Sequence, residues 1–237
     1  MKSLEKFKIY KNVFDGFTLR TLFKLSTEGH FDELLSPVMI GKESNVFLAS
    51  SNHDEETVVI VKIYRLHSCN FNKMHSYIKT DPRFEQIKNQ KRQVIFKWVQ
   101  REYRNLLIAR EKINVPSVIT FMNNVLVMES IGNNVPAPQL KDSVPKNLKE
   151  FSDKIIDSVS NLAKLGLVHG DLSEFNILNF KEKPFFIDFS QGTSTKDYHA
   201  LEYLERDLKN LERFFKKYKL KVNSKEIFEK IKKEIII

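Results

Sequence analysis

Leu167-Val168-His169-Gly170-Asp171-Leu172-Ser173-Glu174-Phe175-Asn176-Ile177-Leu178 is the stretch on which the fold turns. Apolar pairs bound it, and Asp171 and Asn176 bracket a short loop between a helix and a strand. A second carboxylate follows that strand in Phe186-Ile187-Asp188-Phe189. A carboxylate can orient a nucleophilic hydroxyl, while an amide and a further carboxylate supply the hard oxygens that Mg²⁺ prefers. Phosphoryl transfer needs mainly positioning and charge neutralisation, and Asp171, Asn176 and Asp188 can provide both. One acidic residue in a loop is ordinarily just solvated. The whole string at this spacing is far more specific.

Upstream, Val58-Val59-Ile60-Val61-Lys62-Ile63-Tyr64 is a β-branched run and reads as a strand. By period two, Lys62 shares a face with Val58, Ile60 and Tyr64. An ammonium there is costly unless it snorkels to water from an edge strand or finds a carboxylate. Glu102 poses the mirror problem. Trp98, Glu102 and Leu106 fall at i, i+4 and i+8 of a long helix, so the carboxylate lies on or beside the apolar stripe. Arg101 and Arg104 offer local neutralisation; a Lys62–Glu102 pair answers both needs at once. Before Lys62, Gly41-Lys42-Glu43-Ser44 is either an ordinary hairpin turn or a lid over phosphates, with Ser44 offering its hydroxyl or N–H.

The remaining pattern gives a helical region over 14–35 with Gly29 as a stop. Strands follow at 37–40, 46–49, 58–64, 115–119 and 125–128, with a long helix over 85–112. Residues 66–84 lack clear periodicity and read as a flexible loop. Pro136, Pro138 and Pro145 make 132–145 a connector. A helix over 148–165 stops at Gly166. Strands at 177–180 and 185–187 flank a Lys-Glu-Lys-Pro turn, and helices over 200–218 and 224–235 close the chain, with Ser224 as N-cap. Strands dominate the first half and helices the second. The expected class is α+β in two lobes, 1–131 and 132–237 of one catalytic domain.

Composition sets outer limits. The chain has 237 residues, 41% of them hydrophobic, enough for a packed core and against full disorder. Its single cysteine, Cys69, allows no intramolecular disulfide. No apolar run follows the N-terminal charges, and no stretch approaches the ~20 apolar residues of a membrane span. The expectation is a cytoplasmic protein with no membrane partner. A formal charge of +9 suits polyanionic neighbours such as nucleotide phosphates or RNA, though lysine-rich surfaces are commonly just solvated. The six histidines show no metal-ligand spacing, and His169 reads as structural.

Taken together these strings resemble the RIO family of atypical protein kinases, in its first branch, over residues 15–216. Further markers are Asp81-Pro82-Arg83-Phe84, Arg101-Glu102-Tyr103-Arg104-Asn105-Leu106, Pro136-Ala137-Pro138 and Ile187-Asp188-Phe189-Ser190-Gln191. The stretch before Gly41 leaves no room for the winged-helix domain with which the other main branch begins. The resemblance implies a kinase-like fold whose second lobe lacks a peptide-docking activation segment, since no A-P-E string follows Asp188. It implies ATP with Mg²⁺ or Mn²⁺ as cofactors: Lys62 on the phosphates, Glu102 orienting it, Asp171 as base, Asn176 and Asp188 holding metal. Backbone groups of Glu129 and Ile131, in the hinge Met128-Glu129-Ser130-Ile131, would meet adenine. It further implies serine/threonine kinase and ATPase activity, Asp188 itself as a phosphoryl acceptor, and work on the pre-ribosomal small subunit. Ser68, Ser76 and Thr80 are candidate autophosphorylation sites. The lysines of 216–221 and of the last helix either touch rRNA or stay solvated while Ile227, Phe228 and Ile231 dock. His169-Gly170-Asp171 also resembles small-molecule phosphotransferases, and a non-catalytic RNA-binding scaffold is a third reading.

Overall fold

The structure is a computed structural model and describes residues 13–51, 57–67, 71–81, 83, 90–132 and 134–235. The chain divides into two compact units. The first comprises Met1–Ile78, Gln86–Tyr103 and Ser117–Pro136; the second comprises Lys79–Glu85, Arg104–Pro116 and Ala137–Ile237. The boundary read from sequence at 131/132 thus falls at 136/137, and two earlier pieces of chain go with the second unit.

In the first unit, helix α1 (Gly16–Thr27) starts at Asp15, whose carboxylate accepts the N–H groups of Phe17 at 2.9 Å and Thr18 at 3.0 Å. It ends before Gly29, which takes φ 90°. Five strands, β1 (Leu34–Ile40), β2 (Ser44–Ser50), β3 (Val58–Tyr64), β4 (Val118–Met122) and β5 (Val125–Glu129), form an antiparallel sheet in the order β1-β2-β3-β5-β4. Alternate residues of the inner strands build one core with α1: Phe47 and Ala49, Val59, Val61 and Ile63, Val125 and Val127, against Leu22 and Leu25. Period two therefore sends Lys62 to the opposite face. The fourth strand runs from Val118 rather than over 115–119.

Residues 66–84 are not a uniform loop. Helix α2 (Phe71–Thr80) forms there because Met74, Tyr77 and Ile78, at i, i+3 and i+4, are buried. Ser76 and Thr80 are exposed on it; Ser68 and Cys69 lie outside the described residues. Helix α3 (Lys91–Ala109) is the long helix, shorter than expected at its C-terminal end; residues 85–89 lie outside the described residues.

In the second unit, helix α4 (Leu148–Lys164) is capped by Asn147. Two short ladders follow, β6 (Leu167–Val168) with β9 (Thr193–Ser194), and β7 (Ile177–Phe180) with β8 (Lys183–Phe186). The β6–β9 pair has too little sequence of its own to signal a strand. The β7–β8 turn is only Lys181-Glu182, both left-handed at φ 52° and 58°, so Lys183 and Pro184 join the strand expected over 185–187. Helices α5 (Ala200–Lys217) and α6 (Ser224–Ile235) close the unit. Ser224 does not cap α6. Its hydroxyl donates to Glu212 Oε2 at 2.7 Å, and Asn223 Oδ1 accepts the Glu226 N–H at 3.2 Å instead. Ile231 is buried and Ile227 and Phe228 half-buried, while Lys216, Lys217, Lys219 and Lys221 are exposed.

Candidate active site

The first unit holds the cation. Lys62, in β3 between Val46 of β2 and Leu126 of β5, is 4% exposed. Its Nζ lies 2.8 Å from Oε1 of Glu102, which is fully buried on α3 with Trp98. The Tyr64 hydroxyl donates to the other carboxylate oxygen, and the Lys62 ammonium stands 5.2 Å from the Tyr64 ring centroid. Tyr64 lies two residues along the same strand face, and the sequence marks it only as a strand residue. Arg101 is fully buried with its guanidinium over the rings of Trp98, at 5.4 Å, and Tyr77, at 5.8 Å.

Ser44 opens β2 opposite Tyr64 and is buried; its carbonyl accepts the Gly41 N–H at 2.9 Å, closing the tight 41–44 turn. In the hinge segment, the Glu129 N–H donates to Ser117 O at 2.8 Å and the Glu129 carboxylate accepts from Ser117 N–H at 2.9 Å. Ile131 is buried.

The second unit holds the oxygens. Asp171 is exposed at the start of its loop; the Asn176 Nδ2 donates to its carbonyl at 2.8 Å, and the Gln191 Nε2 donates to its Oδ2 at 3.0 Å. Because Asn176 uses Nδ2 there, its Oδ1 is the atom left to face a cation. Asp188 takes the left-handed conformation, φ 60° and ψ 67°, and its carboxylate caps the short 3₁₀ turn Phe189–Gln191 through the Ser190 N–H at 3.4 Å. A non-glycine residue held there costs roughly 1–3 kcal/mol, which the surroundings must offset.

Two groups in α5 hold the loop from beneath. Asp207 is buried; Oδ2 accepts the Gly170 N–H and Oδ1 the Leu172 N–H, each at 2.8 Å, while Arg206 donates to the Gly170 carbonyl. Burial pushes the Asp207 carboxyl up to about 8, against the two N–H donors and Arg206, which pull it down. Neither residue lies in a motif recognisable from sequence. Gly170 fits because φ is +77° and a Cβ would sit 2.8 Å from the Gln191 carbonyl oxygen. His169 is buried, its Nε2 3.0 Å from the Ile187 carbonyl and its ring 4.5 Å from that of Phe189. A carbonyl only accepts, so Nε2 carries the proton and His169 acts as a strut.

Among the described residues no three His, Cys, Asp or Glu side chains cluster as a metal cage. An amide and one carboxylate instead suit Mg²⁺, which keeps waters and is commonly completed by substrate phosphates.

A family model described as RIO domain matches residues 45–227. The chain is 41% identical over 232 residues to the RIO-type serine/threonine-protein kinase Rio1 of Methanocaldococcus jannaschii, covering 97% of this chain and 79% of that one. It is 36% identical over 231 residues to the protein of the same name from Haloferax volcanii, with the same coverages, 97% and 79%. Among solved structures, the Rio2 kinase-ADP/Mg²⁺-phosphoaspartate complex from Chaetomium thermophilum matches with TM-score 0.70 at 23% identity, over 91% of this chain and 66% of that one. That likeness shares the protein-kinase-like fold. With a family model over most of its length and Rio1 relatives over nearly all of it, the chain belongs to the RIO family of serine/threonine-protein kinases.

Proposed function

We propose that this chain moves the γ-phosphoryl group of ATP to a protein serine or threonine, or to its own Asp188, and turns over ATP through the second route. The observation that carries the reading is the Asp171 loop. Its carboxylate is solvent-accessible, is oriented by Gln191, and stands on a backbone fixed by Asp207. A general base needs this combination of access and fixed direction.

In this reading Lys62, with its ammonium aimed by Glu102, neutralises phosphate charge. Asn176 Oδ1 and the Asp188 carboxylate would hold Mg²⁺ or Mn²⁺, which would neutralise phosphate charge when bound. Asp171 accepts the proton of the attacking hydroxyl as the new O–P bond forms and ADP leaves. On the second route an Asp188 oxygen attacks the γ-phosphorus and ADP leaves; water then attacks the acyl phosphate and gives its proton to Asp171. At the hinge, the Glu129 N–H already serves Ser117, so Glu129 would offer adenine its carbonyl and Ile131 its N–H. Ser44 would face the phosphates. The reading extends to a cytoplasmic role in maturing the small ribosomal subunit, which the +9 charge and the exposed lysines of 216–221 suit.

The test is incubation with γ-labelled ATP followed by acid and base treatment of the labelled protein. An acyl phosphate on Asp188 is lost in base and hydroxylamine and disappears in Asp188→Asn; a serine or threonine ester survives acid. Asp171→Ala is expected to abolish transfer to serine or threonine and to stall ATP turnover at the acyl phosphate on Asp188, while nucleotide binding persists. Unchanged turnover in that variant removes Asp171 from the mechanism.

A further inference from the structure

The Asp81-Pro82-Arg83-Phe84 string has no part in the chemistry above, yet the structure connects it to that chemistry within the second unit. The Arg83 guanidinium forks onto the buried Asp81 carboxylate, Nε to Oδ1 at 2.8 Å and Nη2 to Oδ2 at 2.6 Å. Its remaining arm, Nη1, donates to Asn105 Oδ1 at 2.8 Å. Arginine cannot accept, so this contact settles which way the Asn105 amide points. Nδ2 must face the other way, and there it meets the carbonyls of Phe189 at 2.9 Å and Gly192 at 2.7 Å. Asn105 is fully buried, and both its amide hydrogens have acceptors. A Cβ on Gly192 would stand 2.8 Å from Asn105 Nδ2, so this seat requires glycine.

Those two carbonyls bracket the Phe189–Gln191 turn. The turn's cap is Asp188, held left-handed, and its last residue is Gln191, whose amide orients Asp171. One buried amide thus fixes the segment that sets two carboxylates at once.

We propose that Asn105 is a positioning residue for phosphoryl transfer, with the Asp81–Arg83 fork holding its amide in the one orientation that clamps the Asp188–Gly192 segment. The inference rests on Asp188 and Asp171 having the roles given above. The Asp-Pro-Arg-Phe string then has a mechanical role, in which an ion pair outside the catalytic loop keeps the metal carboxylate and the base in register. Misplacing such groups by about 1 Å is enough to cost on the order of a hundredfold in rate.

The decisive variant is Asn105→Asp, which keeps the shape and the Arg83 contact but turns an oxygen toward the two carbonyls. Hydrogen exchange is read first, on the full chain without nucleotide or metal. Peptides covering 188–192 are expected to exchange at least about tenfold faster, with peptides of the sheet unchanged. In turnover, kcat is expected to fall about tenfold to a hundredfold, the Mg²⁺ concentration for half-maximal rate to rise, and the KM for ATP to stay within about threefold. A merely structural role would lower the folded fraction and leave the Mg²⁺ dependence where it was. Should Asn105→Asp fail to fold, Arg83→Gln, at a side chain 23% exposed, is expected to show the same shifts on a smaller scale. Unaltered exchange at 188–192, or unaltered kcat and Mg²⁺ dependence in a folded variant, overturns the proposal. Wild-type protein without turnover would instead sink the catalytic reading, and this inference with it.

Discussion

Replacing Glu102 by alanine removes the counter-ion from a lysine that stays buried. At the observed 2.8 Å the Lys62–Glu102 attraction is about 6 kcal/mol for an effective dielectric constant of ~20. Desolvation of both groups offsets much of that, but deleting one partner leaves the cost of the other in place, and the loss is about 3–5 kcal/mol. The Tyr64 hydroxyl loses its acceptor in the same step. For a chain of this size, about 2–4 °C per kcal/mol gives a fall in melting temperature of roughly 6–20 °C. A suitable probe is built into the molecule: Trp98 is the only tryptophan, is buried, and lies one helical turn before Glu102 on α3. Its fluorescence therefore follows the first unit through urea or heat. Adding Lys62→Met to Glu102→Ala removes the buried ammonium that has lost Glu102 and should restore at least half of the lost stability, because the hydrophobic replacement needs no partner. A Glu102→Ala loss below about 1 kcal/mol, or additive losses in the double variant, would refute this view of the pair as a buried, mutually dependent unit.

Asp207 gives the fold a pH dependence. Its pKa is 3.8 in the reference state and about 8 when folded, so the folded chain binds this proton more tightly. The stabilisation is complete below the lower value and is lost as pH rises through the upper one. Melting temperature should decline from about pH 4 to 8 and level off above that in the wild type, and decline less steeply in Asp207→Asn; equal slopes would contradict the assignment. Gly170→Ala must accommodate a Cβ 2.8 Å from the Gln191 carbonyl at a φ of +77°, and strain plus overpacking predict a loss of roughly 2–5 kcal/mol. Far-UV circular dichroism melts check this, and an unshifted transition would count against it.

What could be read from the chain followed where burial and chemistry coincide in one residue. Lys62 and Glu102 stand out because a charge on an apolar face is anomalous, and the structure pairs them. The same signal is present in α5, where Leu204, Asp207, Leu208 and Leu211 share one stripe, so Asp207 is legible in principle although the motif reading passes over it. Gln191 and Asn105 cannot be found this way. Their amide groups meet backbone and carboxylate oxygens far along the chain, with Asn105 reaching Phe189 and Gly192, and an amide in sequence carries no such address. Helix α2 escapes the pattern because Asn72, His75 and Ser76 dilute the stripe of Met74, Tyr77 and Ile78. The strand boundaries shift where turns use residues without a turn signature, as Lys181-Glu182 does in place of the usual Asn-Gly.

An ATP acyl-phosphate that transfers its label to a lysine beside the bound phosphates, followed by peptide mapping, tests directly the proposal that Lys62 and Asp188 act on one nucleotide. Label should fall on Lys62, be blocked by excess ATP, depend on Mg²⁺, and drop in Asp188→Asn although Asp188 is not itself labelled. Label scattered over the surface lysines, indifferent to ATP and to Asp188, would contradict the proposal that the buried Lys62 ammonium and the Asp188 carboxylate act on the same triphosphate.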